Sequence, residues 1–236
     1  MFRSQLPRIY ELRDLLPTPL PARAYFQDLD NTLTEWPQKL KQFRDIEADL
    51  QSLDDVAWSY LKGELAPLPI TKHETRGWQQ LFDKLNQAKA YRYLARIGCT
   101  DIRFIPESRN ERERTPDLQA FTQGQNVLCE VKTINVSDDE ANRFHNQSVG
   151  DSSDRLPEGF FRKLDAVLME AIAQMQTYCS ESDVRQIAYI ITNFDDRLHE
   201  YADQYLVQIN QFLQCNQATD LEVVLDMKPA FYVAQC

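Results

Sequence analysis

The sequence has no apolar run approaching the roughly 20 residues that a membrane-spanning helix needs, so no spanning segment is expected. Its opening stretch, MFRSQLPRIYELRDLLP, lacks the uninterrupted apolar segment of a secretory leader, and a cytoplasmic location is the expectation. Cysteine is sparse and scattered: Cys99, Cys129, Cys179, Cys215 and Cys236 are odd in number and form no CxxC. That pattern speaks against a disulfide framework and against a zinc site. The three histidines, His73, His145 and His199, do not cluster, and there is no internal repeat or low-complexity segment. Positive charge is also short, with 26 Lys and Arg against 36 Asp and Glu for a net charge of −10. Because affinity for a phosphate backbone comes largely from Lys and Arg, a nucleic-acid role would need a local basic surface. From Lys84 to Arg114 the chain offers Lys84, Lys89, Arg92, Arg96, Arg103, Arg109, Arg112 and Arg114 against Asp101, Glu107, Glu111 and Glu113. A solvated mixed-charge surface accounts for that stretch equally well.

The remaining composition is that of an ordinary globular protein, 43% hydrophobic and 26% charged over 236 residues. That length suffices for one sizeable core with a helical extension. Residues 1–36 are rich in proline and show no clear period. From Pro37 a helical pattern begins: Leu40, Phe43, Ile46 and Leu50 lie three or four apart, and Leu53, Val56, Ala57, Tyr60 and Leu61 continue it. The stretch LAPLPITKHETRG then interrupts structure with two prolines and Gly77. Residues 1–70 are thus expected to be a helical N-terminal region, and residues 71–236 a second domain.

Within that domain the spacing of Leu81, Leu85, Ala88, Tyr91 and Ile97 predicts a helix over 78–97, closed by Gly98. Strands are expected at 102–105, 116–121 and 127–134, the last two joined by the turn signal TQGQN. A polar stretch at 137–157 precedes an amphipathic helix at 159–178, with Phe160, Leu164, Val167, Leu168, Ala171, Ile172 and Met175 on one face. A strand at 187–192, a helix at 198–213, a strand at 221–225 and a short run at 231–234 complete the pattern. The order αβββαβαβ predicts an α/β fold, a mixed central sheet flanked by helices.

The hairpin TPDLQAFTQGQNVLCEVKT concentrates chemistry. With Gln123 and Gly124 as the central turn residues, Asp117 falls directly across from Glu130; a turn shifted by one residue would set it across from Lys132. Side chains alternate along a strand, so Glu130 and Lys132 share a face while Cys129 and Val131 take the other. Directly opposed residues bring their Cβ atoms within roughly 4.5–5.5 Å, close enough for two carboxylates to share a divalent cation. Charged residues on a strand commonly form only a solvent face. Here VLCEVKTI is otherwise apolar, and an acid and a lysine in a central strand are costly unless paired or metal-bound.

Pro116-Asp117, followed thirteen residues later by Glu130-Val131-Lys132, resembles the signature of the PD-(D/E)XK nuclease superfamily. The order helix–strand–strand–strand–helix–strand over about 78–192 resembles that superfamily's restriction-endonuclease-like core, extended here by a further helix and strand. The resemblance implies a metal-dependent nuclease hydrolysing phosphodiester bonds, with DNA as the expected substrate. It implies that Asp117, Glu130 and the main-chain carbonyl of Val131 hold Mg²⁺, with Mn²⁺ as a substitute, and that Lys132 positions a water or neutralises developing charge. Many members carry a glutamate on the preceding helix; the corresponding place here is Gln87, with Ala88 as the alternative, and neither brings a charge. Arg162 and Lys163 open the helix after the core, where related proteins place a phosphate contact. An exposed helix start is the alternative for that pair. Lys89, Arg92 and Arg96 are spaced on one helical face and are the expected nucleic-acid contacts.

Other readings remain beside this one. Gln87 and the acidic balance suit a catalytically silent nucleic-acid-binding or scaffold protein on the same fold. Asp28-Leu29-Asp30-Asn31-Thr32-Leu33 resembles the first motif of haloacid dehalogenase-like phosphatases, with echoes at Ile190–Asn193 and Lys228-Pro229. That pattern lacks the later acidic pair, and a turn with a helix cap accounts for the segment more simply. Tyr91 and Tyr93 beside Arg92 suit either base stacking or a helix core. A homodimer or a protein partner stays open.

Overall fold

Proline lacks an amide hydrogen, which costs nothing in a helix's first turn, and Pro7 and Pro37 each open a helix here. The computed structural model describes residues 2–20, 24–70, 77–108, 114–134, 154–179, 183–194, 201–216 and 221–229. The three histidines, Arg109, Glu111, Arg112, Glu113, the polar stretch at 137–153 and the run at 231–234 lie outside the described residues. By its internal contacts the chain divides into two units, Met1–Gly98 and Cys99–Cys236. The helix expected at 78–97, grouped above with the second region, clusters with the first.

The first unit holds α1 (Pro7–Asp14), α2 (Leu29–Glu35), α3 (Pro37–Gln51), α4 (Asp55–Leu65) and α5 (Gln79–Arg96). Two of these stand in the proline-rich stretch that shows no period. The reason is tertiary: the buried Glu47 carboxylate on α3 accepts from the amides of Arg8 at 3.1 Å and Ile9 at 2.9 Å, satisfying first-turn donors that α1 cannot satisfy itself. The helical pattern expected to run on from Pro37 breaks after Gln51. There the Asp54 carboxylate accepts from the Ala57 amide at 2.7 Å and starts α4 afresh. Asp28 stands at the N-cap of α2, but its side chain makes no cap bond, so the capping role expected of it is not realised. It also opens a helix rather than ending a strand, unlike the phosphatase motif it resembles. Asp30 instead accepts from the Tyr10 hydroxyl and, at 2.6 Å, from Arg13.

The second unit is a five-stranded mixed sheet with helices: β1 (Thr100–Phe104), β2 (Leu118–Thr122), β3 (Gln125–Ile134), α6 (Glu158–Tyr178), β4 (Val184–Phe194), α7 (Ala202–Cys215) and β5 (Leu221–Pro229). The strands lie in sequence order; β1, β2 and β3 are antiparallel, while β4 and β5 run parallel to β3. With α5 ahead of it in the chain, the element order is the αβββαβαβ expected. One sheet face carries Leu128, Ile134, Ala188 and Ile190, packed with Leu164, Ala171 and Met175 of α6 and Tyr205 and Ile209 of α7. Among the described residues no helix is long and apolar enough to cross a membrane.

Candidate active site

The turn between β2 and β3 sets the geometry. Gln123 and Gly124 both have positive φ, 49° and 85°, as a two-residue primed hairpin turn demands. The ladder that follows pairs Thr122 with Gln125 and ends at Leu118 opposite Cys129. This is the first of the two registers considered above. The next pair along that register is Asp117 opposite Glu130, just past the last ladder partner. The Asp117 carboxylate turns onto β3 and accepts from the Val131 amide at 2.8 Å. A strand residue directs its N–H and C=O to the same edge, so the Val131 carbonyl lies on the Asp117 side.

Glu130 is 3% exposed, on a central strand between β2 and β4. Its Oε1 lies 2.9 Å from Lys132 Nζ, while its buried Oε2 has no hydrogen-bond partner among the described residues. Burial, reinforced by the nearby Asp117 charge and opposed by Lys132, pushes the Glu130 carboxyl up to about 8. Two carboxyl groups and a backbone carbonyl at one strand end, with a desolvated oxygen left over, form an oxygen donor set that suits Mg²⁺. No cluster of three or more His, Cys, Asp or Glu side chains fit to hold a metal occurs among the described residues.

Two residues of α6 complete the surroundings, and sequence reasoning did not single them out. Gln174 accepts from Lys132 Nζ at 2.8 Å through its Oε1 and donates to the Thr115 carbonyl at 3.3 Å through its Nε2. Glu170, one turn earlier, lies 3.5 Å from Lys132 Nζ and bonds Arg114. Both flank the apolar stripe of α6, seven and three residues after Val167, and that spacing was the signal available in the sequence.

The other expected site residues are distributed differently. Arg162 and Lys163 are exposed in the first turns of α6, and Arg162 makes a loose 3.5 Å pair with Glu158. Gln87 is buried on α5 in the first unit, where Lys89, Arg92 and Arg96 also stand. Arg92 is held 3.0 Å from the buried Asp49, and Arg96 is exposed. Tyr91 is buried and donates to Asp54 at 3.3 Å, which fits the helix-core alternative. No family model, no curated protein and no solved structure matches the chain.

Proposed function

We propose that the second unit is a metal-dependent nuclease of the PD-(D/E)XK type acting on phosphodiester bonds, with DNA as substrate. One observation carries the reading. Lys132 lies 2.9 Å from the buried Glu130, and the residue between them gives its amide to Asp117, so all three motif side chains gather at one end of the hairpin. Asp117, Glu130 and the Val131 carbonyl would hold Mg²⁺ or Mn²⁺. The bound cation supplies charge neutralisation at the phosphate and a lowered pKa for an attacking water. Glu130 must give up its proton to serve as a ligand. Lys132, tethered between Glu130 and Gln174, presents a fixed ammonium to a phosphate oxygen or to the water that attacks it.

A second reading, a non-cleaving nucleic-acid-binding module, draws on Gln87, which takes the place in the chain where related nucleases carry an acid. Incubating purified protein with plasmid and single-stranded DNA, with and without Mg²⁺ or Mn²⁺, separates the two. The nuclease reading expects metal-dependent cleavage that Lys132→Ala removes while DNA binding persists. Binding by wild type with no cleavage under any metal would favour the silent module. Absence of both binding and cleavage would end both readings.

A further inference from the structure

Two cations converge on one carboxylate oxygen beside the candidate site. Arg114 Nη1 bonds Glu170 Oε1, and Lys132 Nζ lies 3.5 Å from that same oxygen. The Arg114 and Glu170 side chains are 62% and 42% exposed, whereas Lys132 is 18% exposed and reaches outward from the sheet. An exposed ion pair contributes little to stability, so a competing anion can open it without a large penalty. Guanidinium and ammonium groups are also the side chains that recognise phosphate oxygens best, the first as a planar fork and the second as a compact point charge.

We propose that Arg114 and Lys132 form a subsite for one backbone phosphate of the substrate, and that the Glu170 carboxylate fills this subsite in the free protein. The nature of the substrate rests on the nuclease reading; the convergence of two cations on an anionic oxygen does not. Entry of a phosphate displaces Glu170 and exchanges one anion for another, so Lys132 never faces a bare site. Lys132 keeps its bonds to Glu130 and Gln174 throughout, and only the exposed arm, Arg114 with Glu170, has to rearrange. Glu170 therefore sets a threshold, admitting ligands whose phosphate outcompetes a tethered carboxylate.

The test is fluorescence anisotropy of a short labelled DNA duplex and of its single strand, in chelator-containing buffer at low salt. Glu170→Gln removes the competing charge and is expected to tighten binding about three- to five-fold, the scale of one exposed ion pair. Arg114→Ala is expected to weaken binding by a similar factor and to lower the slope of log affinity on log salt by about one. The gain from Glu170→Gln should shrink when Arg114→Ala is also present. Glu170→Ala takes the place of Glu170→Gln should that variant fail to fold. Unchanged or weaker binding by a folded Glu170 variant, or a gain that persists undiminished without Arg114, overturns the subsite. Should wild type bind no DNA, the nuclease reading falls, and thermal midpoints against inorganic phosphate at constant ionic strength decide the subsite alone. There it requires the order Glu170→Gln, wild type, Arg114→Ala in the midpoint increment, and equal increments in all three overturn it.

Discussion

At 3% exposure the Glu130 carboxyl answers to opposed influences, and burial together with Asp117 outweighs the Lys132 ammonium 2.9 Å away. Its proton is therefore held up to about 8 in the folded protein, against 4.5 for an unperturbed glutamate. Between those values the folded chain binds more protons at this position than the unfolded chain does, so stability falls as pH rises. The metal-free thermal midpoint should accordingly decline from about pH 5 to about pH 8, on top of a background that Glu130→Gln exposes by flattening this component. A parallel decline in wild type and Glu130→Gln would mean that other groups carry it. If Mg²⁺ binds here it must expel that proton, so its rise in midpoint should grow with pH over the same interval. Asp117→Asn keeps an oxygen to accept the Val131 amide, yet removes the negative charge that would hold a cation. It should fold and lose most of the Mg²⁺ increment, and an increment equal to wild type would show that Asp117 does not hold the cation.

The hairpin translates a two-residue turn into a placement of carboxylates, and it does so through backbone geometry alone. Gly124 sits at φ 85°, and a Cβ built there meets no heavy atom within 4 Å. Any cost of Gly124→Ala is therefore left-handed backbone strain rather than collision, about 1–2 kcal/mol. Urea unfolding should register that loss with little change in slope; a loss below about 0.3 kcal/mol would mean the turn relaxes to another type. This turn was legible in the sequence because its chemistry is local; it narrowed the register to two choices, of which the structure takes the one pairing Leu118 with Cys129, and it put Glu130 and Lys132 on a shared face. The strand and helix order from Trp78 onward was legible for the same reason, each element carrying its own period. Helix α1 was not, because the group that completes its first turn is Glu47, about forty residues away. Glu170 and Gln174 were hidden differently: on a helix read by its apolar stripe, polar flanking residues look solvated. Only the fold shows that they reach Lys132, Arg114 and the Thr115 carbonyl.

Across the whole molecule the charge deficit is unevenly placed. Met1–Gly98 holds fourteen basic and thirteen acidic side chains, leaving twelve basic and twenty-three acidic for Cys99–Cys236. The unit that carries the carboxylates is thus the strongly negative one, and several of its cations are already paired, including Arg185 with Glu222 at 2.6 Å. A polyanion approaching this chain is repelled at long range, over distances that salt screens with a Debye length of about 8 Å at physiological ionic strength. Any such binding would then depend on short-range cations, and Lys89, Arg92 and Arg96 on α5 of the near-neutral first unit are the expected set. These three are not equivalent probes. Arg92 lies 3.0 Å from Asp49, itself 9% exposed, so Arg92→Ala would also break an ion pair to a buried carboxylate and confound binding with stability. The variant that spares this pair is Lys89→Ala with Arg96→Ala. If α5 contacts the substrate backbone, that double variant should weaken DNA binding, lower the slope of log affinity against log salt by up to about two, and leave the Mg²⁺-induced rise in midpoint unchanged. Because net repulsion is also screened by added salt, a weaker affinity with an unchanged slope would indicate lost packing rather than lost phosphate contacts. Wild-type affinity and slope together in the double variant would remove α5 from the nucleic-acid surface.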